Sequence, residues 1–238
     1  MRQVLPAALI VLSAAISICG QDQSQTKHNP RPNQATTSAA PVADNNNPDP
    51  VKYTYEFTQP KFYVKHIVLE HDANGRGTVT FERLNEDASV SEPIELSTAA
   101  LARINAAWQA LQFLDSNADY QSDKQFPHLG TMRIGMERGD RKRVAEFNWT
   151  NNSNASTLVN EYRKVADQAI LIFDISIARQ NQPLNAPKLM EGMESLLNRN
   201  ALSDPQQLLP LLKELSTDER VPLIARNHAL RLIKKIQK

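Results

Sequence analysis

After residue 52, several segments of the chain have apolar and polar positions that alternate with a period of two residues. This alternation is typical of strands in a sheet. Residues 53–57 form the first such run, and Pro60 indicates an edge strand or a strand that ends there. Residues 62–71 and 78–82 are two further β-rich runs. The turn-forming residues 72–77 lie between them and include two glycines able to take positive φ. The pattern predicts a β-hairpin over residues 62–82.

The period changes to that of an amphipathic helix after Ser97, which is a good N-cap before an alanine-rich segment. The positions of the apolar stripe are Leu101, Ile104, Trp108 and Leu111. Because they recur every three or four residues, they predict one buried helix face. We expect this helix to stop near Asp115.

The same order of patterns then repeats about 60 residues later along the chain. Residues 132–136 alternate, residues 138–140 form a turn, and residues 144–149 return with Ala145, Phe147 and Trp149 on one face. An asparagine-rich corner leads into a second amphipathic helix that we expect to end near Ala178. The pattern therefore predicts a strand–strand–helix unit that occurs twice in this part of the chain.

These elements predict an α+β fold over residues 51–180. The simplest packing is a four- to five-stranded antiparallel sheet that carries both helices on one face. Residues 181–238 are helical by pattern, with leucine stripes and an Asp204-Pro205 helix start. We expect this C-terminal segment to be an appendage that packs on the long helix before it.

Two short motifs carry resemblances to known proteins. Phe113-Leu114, Asp119-Tyr120 and the hairpin around Gly139 resemble uncharacterised exported bacterial domains of the same layout, over roughly residues 60–175. That resemblance implies the fold and export, and it implies no activity. The last helices resemble a single HEAT-type repeat, whereas a solenoid needs about three or more. The residues that carry this second resemblance are Asp218, Val221, Pro222, Ala225, Arg226 and Ala229.

The N-terminus has the features of an export signal. Arg2 precedes an apolar run over residues 4–18, which is shorter than the ~20 residues of a membrane-spanning helix. We therefore predict a signal peptide over residues 1–20 and a periplasmic or secreted protein. As an alternative, residues 16–19 resemble a lipobox, although Ile18 stands where a small residue is usual. Cys19 is therefore a candidate lipidation site, and a lipid there would anchor the chain to the envelope. Residues 21–50 are polar and predict a disordered linker.

The amino-acid composition narrows the range of functions that we expect. Lys and Arg total 27 against 26 for Asp and Glu, so the chain lacks the basic excess of a nucleic-acid-binding protein. Its single cysteine lies in the leader, which leaves the mature domain without a disulfide or a thiolate metal site. No cofactor-binding fingerprint is present. We expect no cofactor, no metal, and contact with a membrane only through the lipid anchor.

One loop carries candidate chemistry. Asp119, Asp123 and His128 are close in sequence, and such side chains can bind a hard cation or transfer protons. An ordinary solvated loop is the default interpretation of these residues, and a catalytic site is the alternative. The leading hypothesis is a non-catalytic envelope or secreted protein that binds a protein partner or an envelope ligand. The alternative is a hydrolase of unknown class built on this Asp/His loop.

Overall fold

The computed structural model describes residues 49–238. The predicted signal peptide, Cys19 and all but the last two residues of the predicted linker lie outside the described residues.

A six-stranded antiparallel sheet forms the first half of the fold, in the order β4-β3-β2-β1-β5-β6. Its strands are β1 (Val51–Thr58), β2 (Val64–Asp72), β3 (Arg76–Arg83), β4 (Val90–Glu95), β5 (Thr131–Arg138) and β6 (Arg141–Phe147). The predicted α+β class is confirmed, with six strands where we expected four or five. The unpredicted strand β4 is short, contains Pro93 and lies at the sheet edge, where proline is tolerated.

Strand β1 is central, between β2 and β5, so of the two alternatives that Pro60 indicated the structure shows the strand that ends there. The reason is that Pro60 lies beyond the end of the strand at Thr58 and removes no hydrogen bond from the sheet. The two predicted hairpins, β2–β3 and β5–β6, are present.

Two helices cover one face of the sheet, α1 (Thr98–Leu111) and α2 (Ser153–Asn181). Ser97 caps α1 as predicted, because its side chain accepts a hydrogen bond from the backbone N–H of Ala100 at 3.2 Å. The helix ends four residues before the expected Asp115, since Gln112 takes a left-handed conformation with φ 45°. Trp108 is buried in the core between sheet and helices, as its place in the stripe predicts.

The other face of the sheet carries charged side chains. His66 lies between Glu56 and Glu82, at 3.1 and 3.3 Å, and Lys52 pairs with Glu70 at 2.7 Å. His71 is five residues from His66 and lies on the opposite face. It is buried in the core.

The C-terminal part is helical, as predicted, with α3 (Ala186–Asn198), α4 (Leu209–Thr217) and α5 (Leu223–Ile236). These helices build a second apolar core with Leu171 and Ile175 from the second half of α2. Helix α2 therefore belongs to both cores. None of the helices in residues 49–238 combines the length and hydropathy that a bilayer crossing requires.

Candidate ligand-binding groove

Three loops meet at one end of the sheet. They are the β1–β2 loop (residues 59–63), the segment before β5 (residues 126–130) and the β6–α2 loop (residues 148–152). The antiparallel register places Thr58 opposite both His66 and Thr131, and Met132 opposite Phe147. The end of β1 and the start of β5 therefore lie side by side, and all three loops project from the same end.

Buried hydrogen bonds fix the first two loops to each other. The side-chain amide of Gln59 donates to the carbonyl oxygens of Pro127 and His128, at 3.0 and 2.9 Å. Gly130 has φ 90°, and a Cβ there would lie 2.7 Å from the ring of Phe57. Glycine is therefore required for this close approach.

Asn148 fixes the third loop. Its backbone N–H donates to Oε1 of Gln121 at 2.9 Å, and its Oδ1 accepts from the backbone N–H of Phe126 at 3.2 Å. Because each loop is held by hydrogen bonds to another segment, the three form a preformed rim.

A groove of about 740 Å³ lies between this rim and helix α2. Its floor is the inner face of the sheet, with the side chains of Tyr55, Phe57, Ile67, Met132 and Phe147. One wall is the face of α2 that carries Ser156, Val159, Asn160, Arg163 and Asp167. The opposite wall comes from the rim loops. This volume falls within the range of ~300–1,000 Å³ that is typical of small-molecule sites.

Large apolar side chains stand exposed along the rim. Phe62, Tyr63 and Trp149 are 44, 62 and 43% exposed, and Leu129 stands with them. Trp149, expected on one face with Ala145 and Phe147, lines the groove together with Phe147. It lies two residues beyond the end of β6 and packs its ring edge-on against Phe126. Exposed aromatic side chains around a concave apolar surface indicate a binding site.

The α2 wall adds a few polar groups to this apolar setting. Arg163 places its guanidinium carbon 5.8 Å from the centre of the Phe57 ring. Burial raises the pKa of Tyr55 to about 12, an effect that the neighbouring Arg163 opposes. Burial likewise raises the pKa of Asp167, against the attraction of Arg163 and Arg199. The groove therefore combines an apolar floor with one charged cluster.

The sequence-predicted residues Asp119, Asp123 and His128 all have exposed side chains, and none of them lines the groove. Asp119 accepts a hydrogen bond from the backbone N–H of Gln121 at 2.9 Å, which stabilises a turn. Within residues 49–238 no group of three His, Cys, Asp or Glu side chains could hold a metal ion. Their segment contributes to the groove through its backbone, because the carbonyl of His128 binds Gln59.

Sequence reasoning missed the groove. The signal available was Phe62-Tyr63, two aromatic residues in a turn after Pro60, where polar residues are usual. No known protein family matches the chain, and no curated protein matches it significantly.

Proposed function

We propose that this chain is an exported, non-catalytic binding protein whose groove holds a small apolar ligand. The observation that carries the proposal is the groove itself, about 740 Å³ in volume, with exposed Phe62, Tyr63 and Trp149 at its rim. Leaving such side chains in water is unfavourable, and a ligand that covers them gains about 25 cal/mol per Å² of buried apolar surface.

The chemistry of the lining favours binding over catalysis. Its titratable side chains are Tyr55, Lys61, Tyr63, Arg163 and Asp167, and it contains no His, Cys or Lys–Glu pair of the kind that activates a nucleophile. With its pKa raised to about 12, Tyr55 stays protonated at neutral pH. The alternative, a hydrolase using Asp119, Asp123 and His128, draws no support from a loop whose three side chains are exposed outside the groove.

The described part of the chain enters the sheet at the end remote from the groove. Val51, at the start of β1, pairs with Arg138, at the end of the sheet opposite the groove. Eight residues of β1 at about 3.3 Å per residue separate the two ends by roughly 25 Å. Whatever precedes Val51 would thus join the sheet at the end remote from the groove.

Intrinsic fluorescence tests the proposal, because the chain has two tryptophans, Trp108 in the core and Trp149 at the rim. Titration of the mature chain with the neutral apolar dye N-phenyl-1-naphthylamine should give saturable binding and a change in Trp149 emission. In Trp149→Phe the dye should still bind, and the part of the emission change that comes from Trp149 should be lost.

A matched pair of substitutions on α2 locates the site. Ser156→Phe fills the groove and should abolish dye binding, whereas Thr157→Phe places the same side chain at the next, exposed position outside the groove and should bind like the wild type. Absence of saturable binding to the wild type, or equal binding by both variants, would contradict the proposal.

A further inference from the structure

The groove places a cationic side chain beside an apolar floor. Arg163 and Lys61 line it together with a single acid, Asp167, so the lining has an excess of one positive charge. Among residues 49–238 neither Arg163 nor Lys61 forms an ion pair within 4.0 Å, whereas Arg83, Arg103 and Arg179 are each paired with a carboxylate. The charge of Arg163 is therefore available to a ligand.

We propose that the ligand is a single-chain amphiphile with a carboxylate head, which Arg163 binds while the apolar chain lies on the groove floor toward the aromatic rim. This inference rests on the proposed function and adds the chemical class of the ligand. A guanidinium offers parallel N–H donors that match the two oxygens of a carboxylate.

The surroundings of Arg163 suit this role. The Phe57 ring beside it favours the cation and restricts its position. The phenol of Tyr55, whose pKa is raised to about 12 by burial, is a second donor beside Arg163 at neutral pH.

Other head groups fit less well. A cationic head group is repelled by the like charges of Arg163 and Lys61. A neutral alcohol cannot form the charge-assisted hydrogen bond that a carboxylate forms with Arg163. Asp167 lies one helical turn from Arg163 and is attracted to it, so it competes with the ligand carboxylate for the same cation. Removing the charge of Asp167 should therefore strengthen the binding of the carboxylate.

Displacement of N-phenyl-1-naphthylamine from the mature chain tests the inference, with dodecanoate, dodecanol and dodecylammonium used below the concentrations at which they form micelles. Dodecanoate should bind at least about tenfold more tightly than dodecanol, and dodecylammonium more weakly than both. Arg163→Gln should lower the affinity for dodecanoate about tenfold and leave that for dodecanol unchanged, while Asp167→Asn should raise the affinity for dodecanoate. Arg231→Gln, on the exposed face of α5, is the matched control and should change neither affinity.

The outcomes separate the two proposals. If dye and dodecanol bind but dodecanoate shows no preference, or if Arg163→Gln weakens both ligands equally, the carboxylate site is overturned and the apolar groove stands. If neither dye nor dodecanol binds, the proposed function fails and the carboxylate inference fails with it.

Discussion

At the scale of single residues, a buried hydrogen-bond network organises the core beside the groove floor. The Tyr162 hydroxyl accepts from the indole N–H of Trp108 and donates to Nε2 of His71, both at 2.8 Å. Nδ1–H of His71 donates to the carbonyl of Asp72 at 2.7 Å. These partners are all satisfied when His71 is neutral with its proton on Nδ1. A second proton would leave the Tyr162 O–H without its acceptor.

This network predicts a loss of stability in mild acid. Burial lowers the pKa of His71 in the folded state, while the unfolded chain keeps a value near 6.5. Below about pH 6.5, therefore, His71 binds a proton in the unfolded state, whereas in the folded state it stays neutral until a lower pH. The free energy of unfolding should fall by up to about 1.4 kcal/mol per pH unit until the folded pKa is reached.

Urea melts of wild type and His71→Gln between pH 7.5 and 5 measure this slope, and the variant should show a flatter dependence. An unchanged slope in His71→Gln would show that the network does not resist protonation.

Single residues also show how far sequence reasoning reaches. Trp108 could be placed in the core because helical spacing fixes its face relative to Leu101, Ile104 and Leu111. Trp149 and His71 could not be placed by the same means. Trp149 follows the last residue of its strand, and the burial of His71 depends on Tyr162, which is 91 positions away in sequence.

At the scale of elements, the β2–β3 hairpin depends on two glycines for different reasons. Gly75 takes φ 79° in the turn, as the sequence predicts. Gly77, which is also able to take a positive φ, lies inside β3 without one. A Cβ at Gly77 would lie 1.8 Å from the backbone oxygen of Glu70 on the neighbouring strand. Glycine is therefore needed there for the close approach of two backbones.

Two glycine-to-alanine substitutions should consequently have opposite effects. Gly77→Ala forces β2 and β3 apart, because the opposing atom belongs to the backbone, and it should destabilise the fold by at least about 2 kcal/mol. Gly192 lies within α3, and no atom lies within 4 Å of the position that a Cβ would take there, so Gly192→Ala should stabilise the fold by about 0.5–1 kcal/mol. Denaturant melts compare the two, and a neutral Gly77→Ala would show that the strands separate more readily than their pairing indicates.

At the scale of the whole molecule, the α+β class and the helical C-terminal part followed from periodicity, which is a local signal. The groove did not, because its rim depends on contacts between distant segments. Gln59 binds the carbonyl of Pro127 across 68 positions, and Gln121 binds Asn148 across 27. No spacing rule connects such residues, so the candidate residues chosen from the sequence fell on the polar loop, while the binding surface is formed by apolar residues around it.

The shared helix α2 makes the stability of the two cores interdependent. Its residues up to Ile170 pack in the sheet core, and Leu171 and Ile175 pack in the tail core. Polar contacts add to this link: the Gln168 side chain accepts from the Asp204 backbone N–H at 2.9 Å, and Arg103 of α1 donates to the carbonyl of Ser203 at 2.7 Å. The tail is therefore part of the same folded unit as the sheet.

Deletion of residues 204–238 should accordingly destabilise the whole domain. It removes α4 and α5 and bares the side chains of Leu171, Ile175, Met190 and Met193, which together form an apolar surface that a soluble domain rarely tolerates. A loss of about 3 kcal/mol, comparable to truncating one buried leucine, would lower the melting midpoint of a domain of this size by about 6–12 °C. Differential scanning calorimetry measures the midpoint, and light scattering detects aggregation.

Removal of only Gln237 and Lys238, both exposed beyond α5, is the control and should leave the midpoint unchanged. If the variant that lacks residues 204–238 stays soluble with an unchanged midpoint, the tail is an independent module, and the sheet core with α2 is stable without the tail.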